Sequence, residues 1–306
     1  MLLESSSLVP KEHEPHGFEQ GVLAGSASVG RLWPELGQIE CAHDISHATL
    51  WSFMDFEGRP SYNPSLLIDF HRWQHNIATL KSGVGDALKY VVLGSRHPGV
   101  FCLGGDLDYF SECIAARDSD ALAAYGRSCI EILHRNWRSL DSEITSIGLA
   151  QGDALGGGFE SLLSFDILCA ERGVKFGFPE QLFGLFPGMG ALSFLGRKLG
   201  FAKAEWMVRT GKILTAEELY ELGVVHILAE PGQGIEAVKR FILKNGARHA
   251  AQFRMHGASK RANPIPFEEL NDIVWLWVEA CLTLEDHNLQ VMRRLVSAQS
   301  KLAAAA

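Results

Sequence analysis

Two glutamates stand out by what surrounds them. Glu160 closes the run Gln151-Gly152-Asp153-Ala154-Leu155-Gly156-Gly157-Gly158-Phe159-Glu160, and Glu180 closes Phe176-Gly177-Phe178-Pro179-Glu180. Successive glycines let a ligand come close to the main chain, because no Cβ intervenes. A glycine run that opens a helix also leaves unpaired N–H groups aimed at whatever binds there. A second glycine pair, Gly104-Gly105, follows an apolar strand pattern, so one N–H from each loop can converge on a single oxygen. Donors aimed at a developing negative charge contribute on the order of 3–4 kcal/mol each. Two carboxylates beside them suit chemistry that removes one proton and delivers another around a polarised carbonyl.

These loops need a frame. The β-prone run at 48–56 predicts a strand, followed by the turn Arg59-Pro60-Ser61-Tyr62-Asn63-Pro64. Leu66, Leu67, Phe70, Trp73 and Ile77 recur at helical spacing and predict a helix over 65–81. Short apolar strands follow at 90–94, 144–150, 166–170 and 224–228, with helices at 120–138, 159–164, 190–199, 202–210 and 215–222. Strand–helix alternation of this kind predicts an α/β domain. After Pro231-Gly232-Gln233-Gly234 the pattern is helical. Its longest element is read over 266–301, with an apolar stripe interrupted near His287 and Asn288. The chain is therefore divided into an N-terminal arm at 1–38, a core at 39–235 and a helical segment at 236–306 that serves as lid or oligomerisation surface.

Composition removes several classes of function. With 306 residues and 47% hydrophobic composition the chain supports a substantial core. A net charge of −8 argues against a nucleic-acid partner, which calls for a basic stripe. No apolar run reaches the ~18 residues of a membrane span, and the first residues carry no secretory pattern, so a cytoplasmic protein is expected. The six scattered cysteines form no Cys-x-x-Cys pair and read as free thiols. His43/His47 and His71/His75 have i, i+4 spacing but lack an accompanying glutamate and a third ligand, so no metal site is expected. The glycine loops lack dinucleotide spacing, and no Gly-x-Ser-x-Gly elbow occurs.

Four motifs in order resemble the crotonase (enoyl-CoA hydratase/isomerase) superfamily. They are Phe101-Cys102-Leu103-Gly104-Gly105-Asp106, Gly156-Gly157-Gly158-Phe159-Glu160, Pro179-Glu180 and Pro187-Gly188-Met189-Gly190. The resemblance implies a core spiral of repeated ββα turns with a helical C-terminal segment, and a homotrimer. It implies an oxyanion hole from the N–H groups of Gly105 and Gly157, and Glu160 and Glu180 as catalytic residues. In hydration the first activates water and the second supplies the proton to the α-carbon; dehydration runs in reverse. Leu103, Asp106, Leu155, Phe178 and Met189 are expected to bind substrate. Phe183, Leu185, Phe186, Leu192, Trp275 and Trp277 are further candidates for an acyl tunnel, and Arg96, Lys198 and Arg261 for contact with a phosphopantetheine arm or an acidic carrier protein. No cofactor is expected, since the acyl group arrives on acyl carrier protein or coenzyme A.

A narrower resemblance is to the RpfF family, the synthases of diffusible signal factors. It rests on His97-Pro98-Gly99-Val100-Phe101, the Leu103-Gly104-Gly105-Asp106-Leu107 loop, Gly190-Ala191-Leu192-Ser193-Phe194-Leu195 without an arginine, and the tail 254–263. It implies dehydration of a 3-hydroxyacyl thioester followed by thioester hydrolysis, releasing a cis-2-unsaturated fatty acid used in quorum sensing. An RpfC-type sensor kinase is a possible partner by the same resemblance. A plain enoyl-CoA hydratase and a non-catalytic partner-binding homologue are the alternatives.

Overall fold

The computed structural model describes residues 32–304. Most of the expected N-terminal arm lies outside the described residues. Its last part does not behave as an arm: Leu36 and Gln38 are buried, because the chain enters the core immediately before the first strand.

Ten strands form two sheets among the described residues. β1 (Ile39–Asp44) and β2 (Thr49–Met54) make an antiparallel hairpin. β3 (Tyr90–Ser95), β5 (Thr145–Ala150), β7 (Ile167–Glu171) and β10 (Ile227–Ala229) extend it in parallel, giving the order β1-β2-β3-β5-β7-β10. β4 (Val100–Cys102), β6 (Asp153–Leu155), β8 (Lys175–Gly177) and β9 (Leu214–Thr215) form the second sheet in that order. The chain thus lays one strand in the large sheet, one in the small sheet, and then turns into a helix. Three such turns, beginning at β3, β5 and β7, make the ββα spiral. β2 and β5 are buried along their whole length, so they read as unbroken apolar runs rather than alternating ones.

The helices are α1 (Pro64–Val84), α2 (Leu107–Ala116), α3 (Ser119–Trp137), α4 (Gly157–Leu163), α5 (Ala191–Leu199), α6 (Phe201–Thr210), α7 (Ala216–Glu221), α8 (Gly234–Asn245), α9 (His249–Ala262), α10 (Phe267–Leu282) and α11 (Asp286–Ala304). Their starts follow local chemistry. Asn63 Oδ1 accepts the Leu66 N–H at 2.8 Å ahead of Pro64, which opens α1. Thr215 and Glu218 form a reciprocal capping box on α7.

The single long element expected over 266–301 is two helices. Thr283 ends α10, and Asn288 Oδ1 accepts the Glu285 N–H at 3.0 Å, which starts α11. The interruption seen at His287 and Asn288 was therefore a capping signal lying just inside the second helix. Among the described residues no helix is long and apolar enough to cross a membrane.

Candidate active site

Strands β4, β6 and β8 run parallel, with Cys102 opposite Ala154 and Leu155 opposite Gly177. Their carboxyl ends are therefore level, and each releases one of the motif loops. β4 leads to Leu103–Asp106, β6 to Gly156–Gly158 and β8 to Phe178–Glu180. Ligand sites in open parallel sheets form at this edge.

The two glycine loops touch. A methyl group on Gly104 would stand 2.9 Å from the Gly157 nitrogen, and one on Gly157 would stand 3.5 Å from the Gly105 nitrogen. Neither the Gly105 nor the Gly157 N–H has a protein acceptor among the described residues, and Gly157 is the first residue of α4. Both glycines line one cavity of about 190 Å³. Gly156 makes this turn at φ 52 and ψ −128, which only glycine adopts readily. Gly158 packs so closely on the Cys102 carbonyl that a methyl group there would meet its oxygen at 2.1 Å.

Glu160 lies one turn into α4 and is 1% exposed. Its Oε1 accepts the N–H of Met189 at 2.8 Å and of Ala191 at 2.9 Å. Ala191 is the first residue of α5, whose preceding residue, Gly190, offers no side-chain cap. The carboxylate thus caps a helix remote in sequence, where the positive end of the helix dipole favours negative charge. The Pro187-Gly188-Met189-Gly190 turn exists to aim these amides. Burial nevertheless raises the Glu160 carboxyl to about 7, with the amides of Ala191, Met189 and Gly190 pulling the other way.

Glu180 follows Pro179 in a short 3₁₀ turn and faces the same cavity. Its Oε2 is enclosed and has no partner among the described residues. Burial, and next the negative charge of Glu160, raise its carboxyl to about 8. Between about pH 7 and 8 the pair therefore carries about one proton, held more readily by Glu180, since amides at the start of α5 favour charge on Glu160.

Among the residues expected to bind substrate, Leu103, Leu155 and Met189 line the cavity, as do Phe183, Leu185, Phe186 and Trp277. Two do not. Asp106 caps α2 by accepting the Asp108 N–H at 3.1 Å, and it pairs with Arg59 at 2.9 Å; its carboxylate is committed to holding the loop. Phe178 is 1% exposed and stacks on Phe159 at 5.1 Å between ring centres, so it belongs to the core beneath the site. Leu192 packs against the core, and Trp275 is exposed on α10. Arg96 is engaged with Glu40 at 2.5 Å.

Sequence reasoning missed Leu107, Phe110 and Tyr125 on α2 and α3, and Leu295, Ala298 and Gln299 on α11, all of which line the cavity. Tyr125 ties the first loop down. Its hydroxyl donates to the Tyr62 carbonyl at 2.5 Å and accepts the Asp106 N–H at 3.3 Å. The helix expected over 120–138 includes Tyr125, but nothing in the sequence showed that its face meets the glycine loop.

Two unpaired amides and two carboxyls on one apolar wall are groups that can polarise a carbonyl and move protons beside it. Residues 74–263, more than half of the chain, match the enoyl-CoA hydratase/isomerase family, and the chain belongs to that family. It is 30% identical over 177 residues to the fatty acid oxidation complex subunit alpha of Vibrio cholerae serotype O1, covering 57% of this chain and 24% of that one. The chain thus spans about a quarter of the length of the curated relatives it matches. The fold is shared with enoyl-CoA hydratase from Bacillus halodurans (TM-score 0.67, 20% identity, 88% of this chain and 100% of that one). It is also shared with Pseudomonas aeruginosa DspI (TM-score 0.61, 21% identity, 74% of this chain and 88% of that one).

Proposed function

We propose that the chain adds or removes water across the α,β-bond of an acyl thioester. The observation that carries this reading is the convergence of the free N–H groups of Gly105 and Gly157 with Glu160 and Glu180 on one cavity. The thioester oxygen accepts both N–H groups, which stabilise the enolate formed when the α-proton leaves. In dehydration, Glu180 takes the α-proton and Glu160 protonates the departing hydroxyl. In hydration, Glu160 as carboxylate takes a proton from water while that water's oxygen bonds the β-carbon, and Glu180 returns a proton to the α-carbon. The resting proton on Glu180 matches the hydration-ready form, and one internal proton shift gives the other.

Within this chemistry, the favoured activity is dehydration of a 3-hydroxyacyl group delivered on acyl carrier protein to a cis-2-enoyl thioester. Thioester hydrolysis then releases a free cis-2-unsaturated acid that acts as a quorum-sensing signal. For the second step a water oxygen bonds the thioester carbon while the Glu160 carboxylate takes its proton, the same two amides hold the tetrahedral oxyanion, and its collapse breaks the C–S bond, the carrier thiolate leaving with that proton. The support is the run of motifs quoted above together with a mostly apolar cavity walled by Leu155, Phe183 and Trp277, which suits a hydrocarbon chain. A plain enoyl-CoA hydratase uses the same four groups, and family membership favours it equally.

The two readings separate when the purified chain is given 3-hydroxyacyl groups on acyl carrier protein and on coenzyme A, alongside crotonyl-CoA, with products identified by mass spectrometry. The favoured activity yields free 2-enoic acid that disappears in Glu160→Ala. Hydration of crotonyl-CoA with no free acid overturns it in favour of the second reading.

A further inference from the structure

One buried residue bonds to both glycine loops. Tyr62 lies in the turn between β2 and α1, is 2% exposed, and packs edge-on against Phe70 of α1 with ring centres 5.8 Å apart. Its N–H donates to the Gly104 carbonyl at 2.8 Å. That carbonyl and the Gly105 N–H belong to one trans peptide. The two groups of a planar trans peptide point in opposite directions, so a hold on the carbonyl sets the aim of the N–H. A hydrogen bond at the carbonyl also polarises the peptide and strengthens its N–H as a donor.

The Tyr62 side chain reaches the other loop. Its hydroxyl is 2.6 Å from Ser161 Oγ, and Ser161 Oγ donates to the Gly158 carbonyl at 3.1 Å. The serine hydroxyl has one proton and gives it to Gly158, so the tyrosine hydroxyl is the donor of the pair. Burial holds that phenol well above its ordinary range, so its proton stays in place. Gly158 and Ser161 both belong to α4, the helix that Gly157 opens. Ladder pairing of β4 with β6 ends at Cys102 and Ala154, and beyond it the Tyr62–Ser161 bridge carries the connection on into α4.

We infer that Tyr62 is a positioning residue for carbonyl binding, fixing the spacing of the Gly105 and Gly157 N–H groups by holding the first through its main chain and the second through its hydroxyl and Ser161. This rests on the acyl-thioester reading above. Tyr62 lies outside the lining of the main cavity, so it acts through the two amides rather than on the substrate. Two donors serve one oxygen only when both meet it at hydrogen-bond distance, and a displacement of about 1 Å at a reacting centre costs up to about 100-fold in rate. Tyr62→Phe retains the main-chain N–H and the ring and removes the hydroxyl alone.

The test reads the carbonyl itself. The probe is a hexanoyl-CoA analogue in which a methylene replaces the thioester sulfur, with carbon-13 at the carbonyl; it can be neither hydrolysed nor dehydrated. Infrared difference spectra report hydrogen bonding to its carbonyl as a shift of the stretching band to lower frequency. In Tyr62→Phe and in Ser161→Ala the shift is expected to be about half that of the parent. On the thioester that the parent turns over best, kcat falls about tenfold in each, with KM within about twofold. The double variant Tyr62→Phe/Ser161→Ala is no worse than the more damaged single variant, because both cut one link. Ser161→Ala cuts it from the α4 side if Tyr62→Phe does not fold. A residue that only supports the fold would lower the unfolding midpoint and leave the band of the bound carbonyl in place. Folded variants with the parental band and kcat therefore overturn the inference, as do single effects that multiply in the double variant. A bound analogue whose band is unshifted in the parent overturns the acyl-thioester reading, and the inference with it.

Discussion

A methyl group at position 156 would fall 2.5 Å from Oε1 of Glu180. The glycine loop and the second glutamate thus lie in van der Waals contact, although they arrive from different strands. Gly156→Ala collides with the carboxylate and also forces an L-residue to φ 52, ψ −128. The expected result is a kcat lower by about 100-fold or more, as befits a displaced proton-transfer group. Steady-state kinetics beside a thermal melt check it; a variant of parental kcat shows that Glu180 is not held by this contact.

Glu160→Gln and Glu180→Gln each remove one of the two carboxyls proposed to transfer protons while preserving shape. Each is expected to lower kcat by about 100- to 10,000-fold with little change in acyl-CoA binding. Both carboxyls are held above the usual range, so the folded protein binds protons that the unfolded chain has released. Stability therefore falls as pH rises from about 4.5 through about 7 and about 8. Urea unfolding across that window is expected to show a shallower fall for Glu180→Gln than for the parent.

The pH–rate profile of hydration is expected to be a narrow bell. It rises as Glu160 loses its proton near pH 7 and falls as Glu180 loses its own near pH 8, the two limbs belonging to the pair. A rate that is flat from pH 6 to 9, roughly a unit beyond each limb, overturns the assignment of roles.

Tyr125→Phe removes the hydroxyl that ties Asp106 to Tyr62. Losing one such bond, at about 1 kcal/mol, loosens the Gly105 amide and is expected to lower kcat about fivefold, with KM nearly unchanged. Active-site titration beside the kinetics checks it: a drop in kcat matched by a fall in active enzyme points instead to a general loss of folding.

At the amino-terminal ends of β5 and β7, Lys260 from α9 meets the buried carboxylate of Asp166, which also accepts from Ser146 N–H at 2.9 Å and from Ser139 Oγ. Lys260→Met strands a buried charge and is expected to cost about 3 kcal/mol of stability while kcat/KM of the folded protein stays near the parent's. Chemical denaturation measures the first and steady-state kinetics the second.

The positions of β2, β3, β5 and β7 were legible because buried strands are short apolar runs bounded by turn residues. The glycine–glutamate motifs were legible because close backbone approach leaves a residue-type signature. The small sheet was not: β4, β6, β8 and β9 are two or three residues long, too short for any period to declare itself. Asp106 and Phe178 carried the right types in the right motifs, yet one caps a helix and the other supports the floor. A motif records that a residue is constrained, without recording which side of the wall it faces. The return of α11 over the cavity depends on tertiary packing, to which local pattern is blind.

The small sheet serves as a ruler. Its three parallel strands bring Leu103–Asp106, Gly156–Gly158 and Glu180 to a common starting line, and each residue of strand spans about 3.3 Å. Removing one residue from β4, β6 or β8 would pull its loop back by that amount and turn alternate side chains to the other face. The edge strand β1 bears no such loop, whereas β2 leads into the segment whose Pro60 and Tyr62 hydrogen-bond Leu103 and Gly104. The three strands that carry these loops, each only three residues long, are therefore the ones least free to change in length.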